Sequence, residues 1–103
     1  MKTTDVARAW LRGERARSRF LVTKNGKIWS YDTLIGKTMP DGTLVIYDYT
    51  NSAGNFISRA TTGHVTDIIG VAWKEANDGR NIVISTNVPK PSSRDKDDQL
   101  PGA

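Results

Sequence analysis

The chain has 103 residues, enough for one domain, and no cysteine, which excludes disulfides, thiolate nucleophiles and cysteine-held metals. A quarter of the residues are charged, the formal net charge is +4, and no apolar run approaches the ~20 residues of a membrane-spanning helix. The charge is concentrated: residues 1–20 hold six Lys/Arg against Asp5 and Glu14, whereas the remaining chain holds nine basic and nine acidic residues.

In chain order, the first predicted element is a helix from about Thr4 to Arg17. Thr4 can act as its N-cap, and Asp5 in the first turn suits the helix dipole. Val6, Ala9, Trp10, Gly13 and Ala16 recur at helical spacing and form its apolar stripe. Arg8, Arg12, Arg15 and Arg19, at spacings of four, three and four, form a basic stripe beside it. Gly13 costs about 1 kcal/mol relative to Ala inside a helix, so it marks either a close contact or the end of the helix.

Strands follow. Phe20–Thr23 and Ile28–Tyr31 flank Asn25-Gly26, the strongest short signal for a hairpin, because a type I′ turn needs positive φ at both central residues. Leu34–Thr38 continues the second strand past a bend at Asp32-Thr33, and Pro40-Asp41-Gly42 reads as a turn. Thr43–Thr50 alternates as a strand, Asn51–Asn55 is a loop and Phe56–Ala60 is a short strand. A second helix, about 62–77, carries Val65, Ile68, Ile69, Ala72, Trp73 and Ala76 on its apolar stripe, which makes Trp73 a core residue. Thr61 or Thr62 caps its start and Asp78-Gly79 ends it. Arg80–Thr86 is a last strand. The reading is a single α+β domain over residues 1–88, with two helices packed on a small antiparallel sheet of four to six strands, and a disordered tail over 89–103.

Two segments carry a resemblance. Trp29-Ser30-Tyr31-Asp32-Thr33-Leu34-Ile35 and Ser58-Arg59-Ala60-Thr61-Thr62-Gly63-His64 match a Trp/Leu-Ser-Tyr-x-Thr-x-Ile strand and a Thr-Thr-x-(x)-His helix start. Between Ala7 and about Trp73 the chain resembles a group of small proteins of tailed phages, prophages and mobile elements. Asp32 stands where that group usually has Gly. The resemblance implies a phage or mobile-element origin and no mechanism.

For chemistry, the arginine stripe points to an anionic partner, because guanidinium makes bidentate bonds to phosphate and carboxylate. Nucleic acid is the first such partner, bound by Arg8, Arg12, Arg15 and Arg19; an acidic host protein, bound for takeover or anti-defence, is the alternative. His64, with Thr61, Thr62 and Tyr31 gathered at a helix N-terminus, is a candidate anion or ligand site and the basis of a third reading, a nucleotide-binding protein or enzyme. His64 lacks a nucleophile-and-carboxylate motif, so no catalytic residue is assigned and the chain is read as non-enzymatic. One His, no Cys and scattered Asp give no metal-ligand spacing, and no cofactor motif is present. Trp29, Tyr31, Tyr47 and Tyr49 lie on predicted strands and are expected in the core or in half-buried cross-strand pairs rather than as base-stacking rings. Polar residues after Met1 argue against a secretory leader. The expectation is a cytoplasmic protein with no membrane partner.

Overall fold

The computed structural model describes residues 2–49, 58–76, 79–86 and 88. The elements run α1 (Thr3–Leu11), β1 (Ala16–Arg17), β2 (Leu21–Lys24), β3 (Lys27–Ser30), β4 (Thr33–Thr38), β5 (Leu44–Tyr47), α2 (Arg59–Glu75) and β6 (Ile82–Ser85). Among the described residues, six strands lie side by side in chain order in one open sheet, and both helices pack on it. The α+β class and the two-helix, one-sheet arrangement are those read from the sequence. The tail over 89–103, the loop at 51–55, Phe56, Ile57 and Asp78 lie outside the described residues.

The first helix is shorter than its periodicity suggests. It ends at Leu11, with Arg12 as C-cap and Gly13 at φ +74°. The Gly13 N–H bonds to Trp10 O at 3.1 Å and the Glu14 N–H to Ala9 O at 2.9 Å. These are the paired bonds of a Schellman ending, which needs a left-handed residue at this position. A Cβ on Gly13 would meet nothing within 4 Å, so its backbone freedom is what matters there. At the other end Lys2, not Thr4, is the cap residue, and its N–H bonds to Asp5 Oδ2 at 3.2 Å.

The chain then forms hairpins. β1 pairs with β2, with Arg17 opposite Val22. The Asn25-Gly26 turn has φ of +55° and +78°, as a type I′ turn requires. Tyr31-Asp32 is a second two-residue loop, because Ser30 pairs directly with Thr33. The expected bend within one strand is therefore a full reversal, and Tyr31 takes φ +57° to make it. A bulge at Ile35 follows, since Trp29 pairs with Leu34 while Ile28 pairs with Gly36. Gly42, at φ +92°, closes the next turn, where the Thr43 N–H bonds to Asp41 Oδ1 at 3.0 Å.

Two expectations fail after β5. The chain returns through α2 to place β6 parallel to β5, with Val45 opposite Val83. A helical crossover brings a strand back in the same direction, so the sheet is not wholly antiparallel. The predicted strand at Phe56–Ala60 is also overturned, since Ser58 is the N-cap of α2 and Arg59 and Ala60 are helical. Ser58 Oγ accepts from the Thr61 N–H at 3.1 Å, so neither threonine is the cap.

Trp73 is the clearest correction. It is 63% exposed. The buried stripe of α2 is Thr61, Val65, Ile68, Val71 and Ala72. Val71, on the flank opposite Trp73, is buried in its place, so the helix is turned away from the Ile69–Trp73 side of the expected face. The buried tryptophans are Trp29, 3% exposed, and Trp10 of α1, 1% exposed, whose Nε1–H bonds to Gly26 O at 2.9 Å. Trp10→Ala should therefore cost about 3–5 kcal/mol in urea denaturation, while Trp73→Ala should stay within about 0.5 kcal/mol. Gly36→Ala provides a second check. Its Cβ would sit 3.0 Å from Ile28 Cγ2 and 3.2 Å from the Trp10 ring. Crowding of that kind should lower stability by about 1–3 kcal/mol in the same measurement.

Candidate functional site

With α1 ending at Leu11, the four arginines no longer share a helical face. Only Arg8 is helical; Arg12 is the C-cap, Arg15 lies before β1 and Arg19 lies in the turn before β2. Their electrostatics divide them further. Arg8 Nε lies 2.7 Å from Glu75 Oε2, and its Nη1 lies 3.3 Å from Asp5 Oδ1. These carboxylates, Glu75 foremost, raise the Arg8 pKa above its ordinary value. Arg12 Nε pairs with Glu14 Oε1 at 2.9 Å. Arg8 and Arg12, with Leu11, Glu75 and Arg80, line a cleft of about 200 Å³. Arg80 Nη1 donates there to Leu11 O at 2.8 Å, so the cleft's cations serve internal partners. Arg15, Arg17 and Arg19 are exposed and join no ion pair among the described residues.

The corner around His64 is also rearranged. Thr61 is buried, and its Oγ1 accepts from Ser58 Oγ at 3.1 Å. Thr62 Oγ1 donates to Tyr49 O at 2.8 Å. Both hydroxyls fasten the helix start to its surroundings. Tyr31 and His64 do come together, with ring centroids 6.1 Å apart. The residue that completes the group is Phe20, 5.2 Å from Tyr31 and 6.4 Å from His64. The Arg19 guanidinium lies over the Phe20 ring, 5.2 Å from its centroid.

Sheet geometry assembles this cluster. The β1–β2 and β3–β4 hairpins turn at the same end, placing Phe20 beside Tyr31, and the Tyr31 N–H bonds to Phe20 O at 2.8 Å. The first turns of α2 bring His64 to that end. There Ser30 Oγ and His64 Nδ1 share a hydrogen bond of 2.6 Å. Trp29, Tyr47 and Tyr49 are buried, as the sequence reading expected, but Tyr31 is not: it lies in the two-residue loop rather than on a strand and is 46% exposed, beside Phe20 at 41%. Phe20 and Ser30 escaped that reading, although the Asn25-Gly26 register already carried the signal. With Lys24 opposite Lys27 and Leu21 opposite Ser30, residue 20 falls beside residue 31.

Chemically, the cluster presents aromatic surface and cations. Ser30 is wholly buried, so its hydroxyl is out of reach of a substrate despite its bond to His64. Among the described residues no group of three His, Cys, Asp or Glu is placed to hold a metal, and no helix is long and apolar enough to cross a membrane. Compared with protein-family models, with curated proteins and with solved structures, the chain matches none.

Burial lowers the His64 pKa below the usual 6.5, and the Asp67 carboxylate opposes this more weakly. The folded state thus resists a proton that the unfolded chain accepts. Stability from this source is intact above about pH 6.5 and falls as the pH drops from there toward the folded pKa. Melting curves should show wild type losing stability as acid is added across this window, and His64→Gln losing less of it.

Proposed function

We propose that this chain is a non-enzymatic binding protein for nucleic acid, acting through the sheet edge at β1, along which Arg15, Arg17 and Arg19 lie. The observation behind this reading is that, among the described residues, these three guanidinium groups are exposed and have no carboxylate partner, whereas Arg8 and Arg12 are paired. A guanidinium without an internal acid keeps its fork of donors for phosphate. Arg8 and Arg12, whose charge is balanced within the fold, have structural roles in this reading. The concentration of net positive charge near the N-terminus supports the same partner by drawing a polyanion to that region. An accessory protein of a phage or mobile element, working in the cytoplasm of a host cell, fits the reading.

A second reading, a protein that binds a host factor, rests on Trp73. A large exposed ring beside half-buried Ile69 on the outer face of α2 suits a protein contact better than bare solvent.

Glutamate at Arg15, Arg17 and Arg19 together separates these readings. Wild type should bind oligonucleotides with an affinity that falls about twenty- to fortyfold between ~50 and ~200 mM salt, as three phosphate contacts require. The triple variant should lose this binding while its melting temperature stays within about 3 °C. Glutamate at Arg8 and Arg12 should leave binding largely intact and weaken the α1–α2 contact instead. If wild type binds no nucleic acid, and Trp73→Ala abolishes a nuclease-insensitive protein complex, the second reading replaces the first.

A further inference from the structure

Resting on the nucleic-acid reading above, we propose that the ligand is single-stranded, with unpaired bases stacking on Phe20 and Tyr31 while Arg17 and Arg19 hold the adjacent phosphates. Base–aromatic stacking needs a free π-face, and a duplex offers none along its length. Phe20, Tyr31 and His64 form one group whose centroids are 5.2–6.4 Å apart and whose planes differ by 28–38°. The Arg19 guanidinium already lies on the Phe20 ring, so a planar cation and two exposed rings share one surface. Arg17 closes β1 beside the hairpin tip that bears Phe20.

An independent observation comes from the backbone. Tyr31 occupies the left-handed region, at φ +57°, in a loop of only two residues. Non-glycine residues are strained in this conformation, and Gly or Asn tolerates it better. Strain of this kind gathers at functional sites, where the surroundings hold a residue that the backbone alone would not select. Here the side chain gained is a ring next to Phe20. The rings are also fixed in advance: the Tyr31 N–H bonds to Phe20 O, and Ser30 anchors His64 from beneath. A platform set before the ligand arrives loses little side-chain freedom on binding.

The test compares wild type, Tyr31→Asn and Phe20→Ala by fluorescence anisotropy at one salt concentration. The probes are labelled poly-dT, poly-rU and a DNA duplex of matched length. Wild type should bind a single strand at least about tenfold more tightly than duplex. Each variant should lose about five- to a hundredfold toward the single strands and keep its duplex affinity. Tyr31→Asn should melt at or above the wild-type temperature, which separates loss of the ring from loss of the fold. The dT and rU arms distinguish DNA from RNA as the preferred strand. Equal affinity for single strand and duplex, unchanged by both substitutions, would overturn the stacking proposal and leave binding through phosphates standing. Binding to none of the probes would overturn the nucleic-acid reading and this proposal with it.

Discussion

The indole of Trp10 lies against a position with no side chain. Gly36 faces it from the middle of the sheet, in register with Ile28 on one side and Ile46 on the other. That gap lets the indole reach the backbone of the β2–β3 turn and bond to Gly26 O. The same carbonyl accepts the Thr38 N–H at 2.7 Å. One contact thus fixes the distance of α1 from the sheet, its position along the strands and the closure of the hairpin. The α2 helix packs beside α1, and its buried stripe is the face that remains once α1 is seated.

Seating α1 in this way also decides where the positive charge goes. A helix continued to Arg17 would have carried Arg8, Arg12 and Arg15 along one side. The Schellman ending at Gly13 turns the chain back into the sheet edge and divides the arginines into a paired set and an exposed set. Arg19 of the exposed set reaches the aromatic cluster because the β1–β2 hairpin turns beside it.

Much of this was legible in the sequence where local chemistry decides. Asn25-Gly26 announces its turn because few other pairs tolerate two positive φ values. The apolar spacing of Val65, Ile68 and Ala72 announces α2 because burial demands it. Gly13 was ambiguous for a physical reason. A glycine serves both close packing and left-handed backbone, and only the surrounding space tells which. Tyr31 was misleading because tyrosine is a poor turn residue; its N–H bond to Phe20 O and the Phe20 ring beside it hold it where propensity would not. The rotation of α2 was hidden because Ile69 and Trp73 on one flank and Val71 on the other are equally apolar, and the choice depends on the shape of the sheet and of α1 beneath. Of the candidate site, Tyr31 and His64 were legible as a pair. Phe20 needed the register carried across a hairpin, and the sorting of the arginines needed the positions of Glu14 and Glu75.

The bond from Arg80 to Leu11 O has a consequence for how the chain acquires its structure. It joins residues 69 apart, and the Arg8–Glu75 pair spans 67. The strands from β1 to β5, by contrast, pair with immediate neighbours through short turns, so their loop-closure cost is small. On a ribosome, the meander can form while the segment that stabilises the end of α1 is still unmade. Until Arg80 emerges, the last carbonyls of the first helix lack their cation and β5 lacks its parallel neighbour. The N-terminal helix is synthesised first, yet its C-terminal end is among the last parts of the molecule to be secured.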